Sequence, residues 1–195
     1  MRTIETTLYN FDELSKEAQE TAIENVRKTY YEHNDFAEWA IDNCGLFEPP
    51  HKELEAMFGK DYNFPMIENT RENVYFSTDR NWYLDCAQAM NITNKEHFLL
   101  WLGLSEDLTN KIDFSIFTPS YRGSGTTIQF EFEDEDDETS ANNDILEEAT
   151  EKFESHVNSI LRCLEDNIDY RFTDEAVKED IEANEYEFTE EGELI

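Results

Sequence analysis

Ile128-Gln-Phe-Glu-Phe-Glu-Asp-Glu-Asp-Asp-Glu138 begins as an alternating strand and continues as an unbroken run of carboxylates. Successive side chains of a strand point to opposite faces, so Ile128, Phe130 and Phe132 share one face and the polar residues between them share the other. The apolar face can join a hydrophobic core while the opposite face carries negative charge. This stretch therefore predicts a folded protein with a polyanionic surface.

The neighbouring segments predict a sheet. Ile112–Phe117 and Thr126–Glu133 have the composition of two strands, and the Gly-containing loop between them predicts a hairpin. Val74–Phe76 and Trp82–Cys86 flank a turn-forming cluster and predict a second pair of strands, although the segment from Trp82 to Met90 is also compatible with a helix. These patterns predict an α+β fold in which an antiparallel sheet of about four strands packs with several helices.

The longest predicted helix follows the acid run, toward the C-terminus. Its apolar residues recur at spacings of three and four, which is typical of an amphipathic helix with one buried stripe. The stripe comprises Ile145, Ala149, Phe153, Val157, Ile160, Leu161, Leu164 and Ile168. Such a stripe could serve a homodimer interface as well as a core.

Shorter helices are predicted elsewhere in the chain. Apolar residues at every fourth position predict a helix over Lys16–Glu32, with Ser15 as its N-cap. Asn94 and Thr173 are N-cap candidates for two later helices, because their side chains can accept a hydrogen bond from the first turn. The remaining short helices are predicted at residues 36–40 and 54–58.

The chain is long enough for one domain, and no repeat of fixed period divides it. We therefore predict a single acidic α+β domain over residues 1–195, with residues 134–143 as a flexible acidic loop. Residues 3–9 are predicted to form either a short strand or an extended entry. The tail over residues 185–195 is expected either to dock as a strand or to fray.

The charge of the chain restricts its partners. There are 47 acidic and 15 basic residues, and residues 129–195 hold 25 of the acids with 4 of the bases. Direct binding to nucleic acid is not expected, because phosphate contacts require Lys and Arg, and an anionic membrane surface would repel the chain. The expected partner is a basic protein.

Other features of the composition indicate a folded protein in a reducing compartment. Aromatic residues make up 13% of the chain, which favours a packed core over disorder. Cys44, Cys86 and Cys163 are odd in number and form no close pair, which argues against a disulfide framework. The sequence has no long apolar run and no signal-peptide core. We therefore expect a cytoplasmic protein, although a salt-adapted proteome would show similar acidity.

No pattern of catalytic, cofactor-binding or metal-binding residues is found in the sequence. The four histidines, at positions 33, 51, 97 and 156, lack the spacing of zinc ligands. The acid run lacks the alternating ligands and the central Gly of an EF-hand loop. We therefore predict that the protein is not an enzyme and that it uses no metal ion or cofactor.

The two ends of the chain resemble a known family. Tyr9-Asn-Phe-Asp-Glu-Leu-Ser-Lys-Glu-Ala-Gln-Glu-Thr-Ala22 is similar to the opening of a family of small acidic proteins common in phages and prophages. Asp174-Glu-Ala-Val-Lys-Glu-Asp-Ile-Glu-Ala-Asn-Glu-Tyr-Glu-Phe-Thr-Glu-Glu-Gly192 is similar to its ending, and Ser120-Tyr-Arg-Gly-Ser-Gly-Thr126 to its Gly-rich hairpin loop, with Ser124 where an acid is expected. The resemblance implies a phage-encoded α+β protein without catalytic residues, and some family members are labelled antitoxin-like.

Charge and resemblance together predict an anti-defence inhibitor of the anti-CRISPR or anti-restriction type. Carboxylates on a folded scaffold would act as a nucleic-acid mimic and bind the nucleic-acid-binding surface of a host nuclease, such as a CRISPR effector or a restriction enzyme. The predicted contact residues are Glu131, Glu133, Asp134, Glu135, Asp136, Asp137, Glu147, Glu148, Glu151 and Glu154. The alternative is an antitoxin-like module that neutralises a basic toxin by shape, with aromatic or loop residues carrying the affinity.

Overall fold

The computed structural model describes residues 7–33, 47–60, 62, 66–69, 90–118, 126–134 and 139–195. The helices are α1 (Lys16–His33), α2 (His51–Phe58), α3 (Lys95–Leu102), α4 (Glu106–Thr109), α5 (Ser140–Arg171) and α6 (Asp174–Ala183). The strands are β1 (Tyr9–Asn10), β2 (Ile67–Asn69), β3 (Met90–Ile92), β4 (Ile112–Phe117), β5 (Thr127–Phe132) and β6 (Glu187–Phe188), and a 3-10 turn spans Phe11–Glu13. The predicted mixture of helices and antiparallel strands, with one long helix toward the C-terminus, is confirmed.

The predicted sheet of about four strands is wrong. The described strands form separate two-stranded antiparallel sheets, in which β1 pairs with β6, β2 with β3 and β4 with β5. The sequence predicts the β4–β5 hairpin to within one residue at each end, but β1 and β6 pair across almost the whole chain, which no local pattern encodes. The second predicted pair of strands, at residues 74–76 and 82–86, and the helix predicted at residues 36–40 lie outside the described residues.

The chain forms two compact units. Unit 1 comprises residues 1–43 and 165–195, and unit 2 comprises residues 44–164. The boundary falls within α5, which begins at Ser140, inside the stretch predicted as an acidic loop. Each unit has its own set of buried residues.

Unit 1 is built mainly from α1, α6 and the β1–β6 pair. Ser15 caps α1 by accepting a hydrogen bond from the N–H of Ala18 at 3.2 Å, as predicted. The core of the unit comprises Phe11, Leu14, Ala18, Ala22, Ile23, Val26, Tyr30, Val177, Ile181 and Phe188. Tyr9 pairs with Phe188 across the two strands, so the two end stretches that resemble the phage family belong to the same unit and contact each other.

The C-terminal turn lies directly against α1. Gly192 has a φ of +85°, and a Cβ at that position would lie 2.2 Å from the carbonyl oxygen of Ala18. Only glycine satisfies both the backbone conformation and the space. The carbonyl of Gly192 also accepts a hydrogen bond from the side-chain amide of Asn25 at 3.0 Å. The tail therefore docks, and an isolated bridge from Phe188 to Leu194 extends the docking almost to its end.

A polar cluster joins α1 to α6 at one edge of the unit 1 core. The hydroxyl of Tyr30 donates to a carboxylate oxygen of Asp180 at 2.8 Å, and Arg171 forms an ion pair with the other oxygen at 3.0 Å. The guanidinium of Arg171 also lies 4.2 Å from the centroid of the Tyr30 ring. Burial, helped by the hydrogen bond to Asp180, raises the pKa of Tyr30 above its ordinary value of 10.0.

Aromatic rings connect the elements of unit 2. The ring of Phe98, in α3, lies 5.3 Å from that of Phe114 in β4 and 6.1 Å from that of Phe153 in α5, measured between centroids. Phe98 and Phe153 have no exposed surface. The apolar face of the β4–β5 hairpin therefore packs on α3, which in turn contacts α5.

The predicted stripe of α5 forms part of the core. Its fully buried members are Ala149, Phe153, Val157, Leu164 and Ile168. Ile160 and Leu161 are half-buried, whereas Ile145 is exposed and Leu146 is buried instead. In the second turn of the helix, the buried position is therefore 146 and not the predicted 145. Neither α5 nor any other helix in the described part of the chain has the length and apolar character needed to span a membrane.

The predicted N-caps of two further helices are confirmed. Asn94 accepts a hydrogen bond from the N–H of His97 at 3.0 Å and begins α3. Thr173 accepts one from the N–H of Ala176 at 3.2 Å and begins α6. Both caps satisfy donors that the first turn of a helix leaves without an internal acceptor.

Candidate functional site: a carboxylate surface on unit 2

The outer face of the β4–β5 hairpin carries the first group of predicted contact residues. Glu131 is exposed, while Phe130 and Phe132 on either side of it are half-buried, as the alternation predicts. The strand register places Asp113 of β4 directly opposite Glu131. Two carboxylates therefore face each other across the ladder, where like charges repel.

Asp113 and its neighbouring cation are residues that the sequence did not single out. The ammonium of Lys95, in the first turn of α3, lies 3.0 Å from a carboxylate oxygen of Asp113. The hydrogen bond from Lys95 holds the pKa of Asp113 below its ordinary value. Pairing β4 with β5 from the centre of their loop would have placed Asp113 opposite Glu131, but the position of Lys95 depends on the packing of α3.

The acidic row continues beyond the end of β5. Glu133 and Asp134 are both exposed. The N–H of Glu133 donates to the carbonyl of Lys111 at 2.9 Å, which holds the backbone in place at the first residue after the strand. The predicted contact residues Glu135, Asp136 and Asp137 lie outside the described residues.

The second group of predicted contact residues lies in the early turns of α5. Glu147, Glu148 and Glu151 are exposed. Residues three and four apart are neighbours on a helix surface, with Cβ atoms about 5–6 Å apart. The side chains of these three acids form no hydrogen bond or ion pair with any residue that the structure describes. Their charges therefore repel one another without internal compensation.

Glu154 differs from the other predicted contact residues. It is half-buried, and one of its carboxylate oxygens accepts a hydrogen bond from the hydroxyl of Thr127 at 2.6 Å. Thr127 lies four positions before Glu131 in β5, and this even spacing places both side chains on the same face of the strand. The bond therefore joins α5 to β5 at Thr127, and the helix acids and the strand acids all lie in unit 2. We refer to Glu131, Glu133, Asp134, Glu147, Glu148 and Glu151 together as the carboxylate surface.

The basic residue nearest in sequence to these helix acids is engaged elsewhere. The ammonium of Lys152 lies 3.3 Å from a carboxylate oxygen of Glu53 and 4.8 Å from the centroid of the Trp101 ring. It also donates to the backbone carbonyl of Trp101, while the indole N–H of Trp101 donates to Glu53 at 3.2 Å. This arrangement directs the charge of Lys152 toward α2 and α3.

His156 belongs to the same interior network. Its Nε2 forms a hydrogen bond of 2.7 Å with the backbone carbonyl of Phe47, and its ring lies edge to face with Trp101 at 5.0 Å. Burial lowers the pKa of His156, so the neutral ring is favoured. The contacts indicate a structural role in holding α5 against the segment at Phe47. Within the described residues, no group of three His, Cys, Asp or Glu side chains is arranged to hold a metal ion.

Comparisons with known proteins give no relative for this arrangement. The chain matches no family model, no curated protein and no solved structure. The resemblance of the two ends to a phage family therefore stays a prediction, and the function is argued from the surface itself.

Proposed function

We propose that the protein is an inhibitor that presents carboxylates to the nucleic-acid-binding surface of a basic protein. The observation that carries the proposal is the lack of internal compensation: Glu131, Glu133, Glu147, Glu148 and Glu151 are exposed and form no ion pair with any described residue. Close, uncompensated carboxylates destabilise the compact state. This destabilisation is relieved when the cations of a partner neutralise the carboxylates, which would give the exposed acids a role in binding.

The spacing of the acids supports competition for part of a phosphate-binding groove. Outward residues two apart in a strand are separated by about 6.7 Å, and one turn of helix advances about 5.4 Å. A DNA duplex carries one charge per about 1.7 Å of its axis, so the carboxylate surface is less dense than a duplex. The proposed mechanism is therefore occupation of several phosphate-binding positions, without reproduction of the duplex as a whole.

The class of target follows from the charge and from the family resemblance. A phage-encoded inhibitor would act in the host cytoplasm on a defence nuclease. A CRISPR effector, which reads its PAM with arginines, and a restriction enzyme both offer a basic groove. Opposite surface potentials would also speed the encounter, since the inhibitor is attracted by the same field that attracts DNA.

Capture followed by competition tests this proposal. The full chain is immobilised, host lysate is passed over it, bound proteins are identified by mass spectrometry, and duplex DNA is then added. We expect a nucleic-acid-binding protein that is displaced by DNA and by raised salt. Replacing Glu147, Glu148 and Glu151 by Gln should weaken its binding about tenfold, since an exposed ion pair contributes about 0.2–1 kcal/mol.

A matched control removes the same number of charges from unit 1. The variant Glu20→Gln/Glu190→Gln/Glu191→Gln changes three exposed acids outside the carboxylate surface and should bind the partner as the wild type does. Equal binding by the two triple variants would contradict the proposal, as would a partner that never handles nucleic acid. The antitoxin-like alternative predicts a complex that survives high salt and is not displaced by DNA.

A further inference from the structure

Unit 1 contains a pocket that none of the predicted contact residues lines. Its volume is about 460 Å³, which falls within the range of about 300–1,000 Å³ typical of ligand sites. It forms where β1 and the 3-10 turn meet the end of α6 and the start of β6. The β1–β6 ladder pairs Asn10 with Glu187, so hydrogen-bonded strands hold the two sides of the pocket together.

Part of the pocket lining is apolar. Phe11 and Ile181 line it, and both are buried residues of the unit 1 core. Tyr186 lines it as well and is half-buried, and its N–H donates to the carbonyl of Ile181 at 3.2 Å. Because these residues are fixed by core packing and backbone hydrogen bonds, the pocket is formed before any ligand arrives.

The charged residues in the pocket lining that the structure describes are all acids. They are Asp12, Glu182, Glu185 and Glu187. All four acids are exposed, and their side chains form no hydrogen bond or ion pair with another described residue. A pocket that combines four carboxylates with some apolar surface is complementary to a ligand with an apolar stem and a cationic tip.

We infer that this pocket receives an arginine side chain of a protein partner. A guanidinium is planar, donates two parallel hydrogen bonds to a carboxylate and stacks on aromatic rings. The four acids of the lining supply carboxylates, and Tyr186 is the tyrosine among the lining residues. The methylene stem of arginine packs on apolar surface such as that of Phe11 and Ile181. A bare metal ion would use the carboxylates but not the apolar part of the lining. The pocket lies in unit 1, its lining shares no residue with the carboxylate surface, and the inference does not depend on the proposed function.

Titration of the full chain with a small probe tests the inference. N-acetyl-arginine N-methylamide is added to the isotope-labelled protein and backbone amide shifts are followed by NMR. We expect saturable shifts confined to residues 10–12 and 181–187, with weaker binding of the lysine analogue and none of citrulline, which has the shape of arginine without its charge. Glu182→Gln/Glu187→Gln should weaken binding about fivefold, through loss of charge from two hydrogen-bond acceptors.

The control pair is Glu190→Gln/Glu191→Gln, which removes the same charge from exposed residues that do not line the pocket. This pair should bind the arginine probe as the wild type does, and so should the triple variant at Glu147, Glu148 and Glu151. Equal weakening by both pairs, shifts spread along α5, or equal binding of citrulline would overturn the inference. Displacement of arginine by Ca²⁺ at equal concentration, with the same saturable shifts, would identify a cation site and overturn it too.

Discussion

The hydroxyl of Thr127 donates a hydrogen bond of 2.6 Å to the carboxylate of Glu154, and this bond joins β5 to α5 within unit 2. Both side chains are half-buried. Glu154 is therefore used by the fold, whereas Glu147, Glu148 and Glu151 one and two turns earlier have no such partner among the described residues.

Replacement of Thr127 by Val should destabilise unit 2. The substitution keeps the shape of the side chain but removes the donor, so the half-buried carboxylate of Glu154 loses a partner. We expect the free energy of unfolding to fall by about 1–2 kcal/mol, measured by urea denaturation. Glu151→Gln, which alters an exposed acid, should stay within about 0.5 kcal/mol of the wild type. Equal effects of the two substitutions would contradict this role of Thr127.

Neutralisation of the helix acids should have the opposite effect. Glu147 and Glu151 are four residues apart, Glu148 and Glu151 three apart, and like charges at these spacings destabilise a helix by about 0.2–0.5 kcal/mol per pair. The Glu147→Gln/Glu148→Gln/Glu151→Gln variant should therefore be more stable by about 0.5–1 kcal/mol. Thermal unfolding followed by circular dichroism measures the change. A gain in stability together with a loss of partner binding would separate binding from folding, whereas a loss of stability would contradict the expectation.

Tyr30 should make stability depend on alkaline pH. Its pKa is raised in the folded state above the ordinary value of 10.0, chiefly by burial. The unfolded chain therefore releases this proton first, so the contribution is complete below pH 10 and is lost as the pH rises further, at up to about 1.4 kcal/mol per pH unit. Tyr30→Phe should lose a hydrogen bond at pH 7 but show a smaller decline above pH 10. Parallel pH profiles of the two proteins would refute this assignment.

The conformation of Glu185 offers a stabilising substitution. Its φ is +52°, a left-handed conformation that costs most residues other than Gly and Asn about 1–2 kcal/mol. Glu185→Asn should raise the free energy of unfolding by about 0.5–1 kcal/mol. Glu185→Ala makes the same change of charge without relieving the strain, so it should give no gain. Calorimetric midpoints of the two variants at one pH measure the difference, and equal midpoints would show that strain is not the cause.

Gly192 should tolerate no side chain. A Cβ there would lie 2.2 Å from the carbonyl oxygen of Ala18, and the positive φ adds backbone strain. We expect Gly192→Ala to cost about 2–4 kcal/mol in chemical denaturation. Gly59→Ala is the control, because its φ is +90° but no atom lies within 4 Å of the added Cβ. If Gly192→Ala and Gly59→Ala lower the free energy of unfolding equally, the close approach of residue 192 to α1 is not the cause of the loss.

The sequence predicts those parts of the fold that depend on local spacing. Ser15, Asn94 and Thr173 cap helices at the predicted positions because an N-cap needs only a side-chain acceptor and the turn that follows it. Glu131 is exposed because alternation along β5 depends only on which face is buried. These features require no knowledge of distant residues.

Pairings between distant segments were not predictable in the same way. Tyr9 opposite Phe188 and Lys95 beside Asp113 depend on which elements meet, and the chain carries no short-range signal for either contact. The sequence predicts Glu154 to act with its exposed neighbours because it shares their charge, but the hydroxyl of Thr127 gives it a different role. The separation of the described strands into two-stranded sheets also depends on which distant segments meet, so it could not be predicted from short-range patterns.

The pairing of β1 with β6 has a consequence for synthesis of the protein. Unit 2 is continuous in sequence, so all of its residues have been joined before α6 is made. Unit 1 instead needs the residues around Phe188 and Gly192, which are added after the whole of unit 2. Folding on the ribosome should therefore be able to begin in unit 2, while β1 remains without its partner strand until Phe188 has been synthesised.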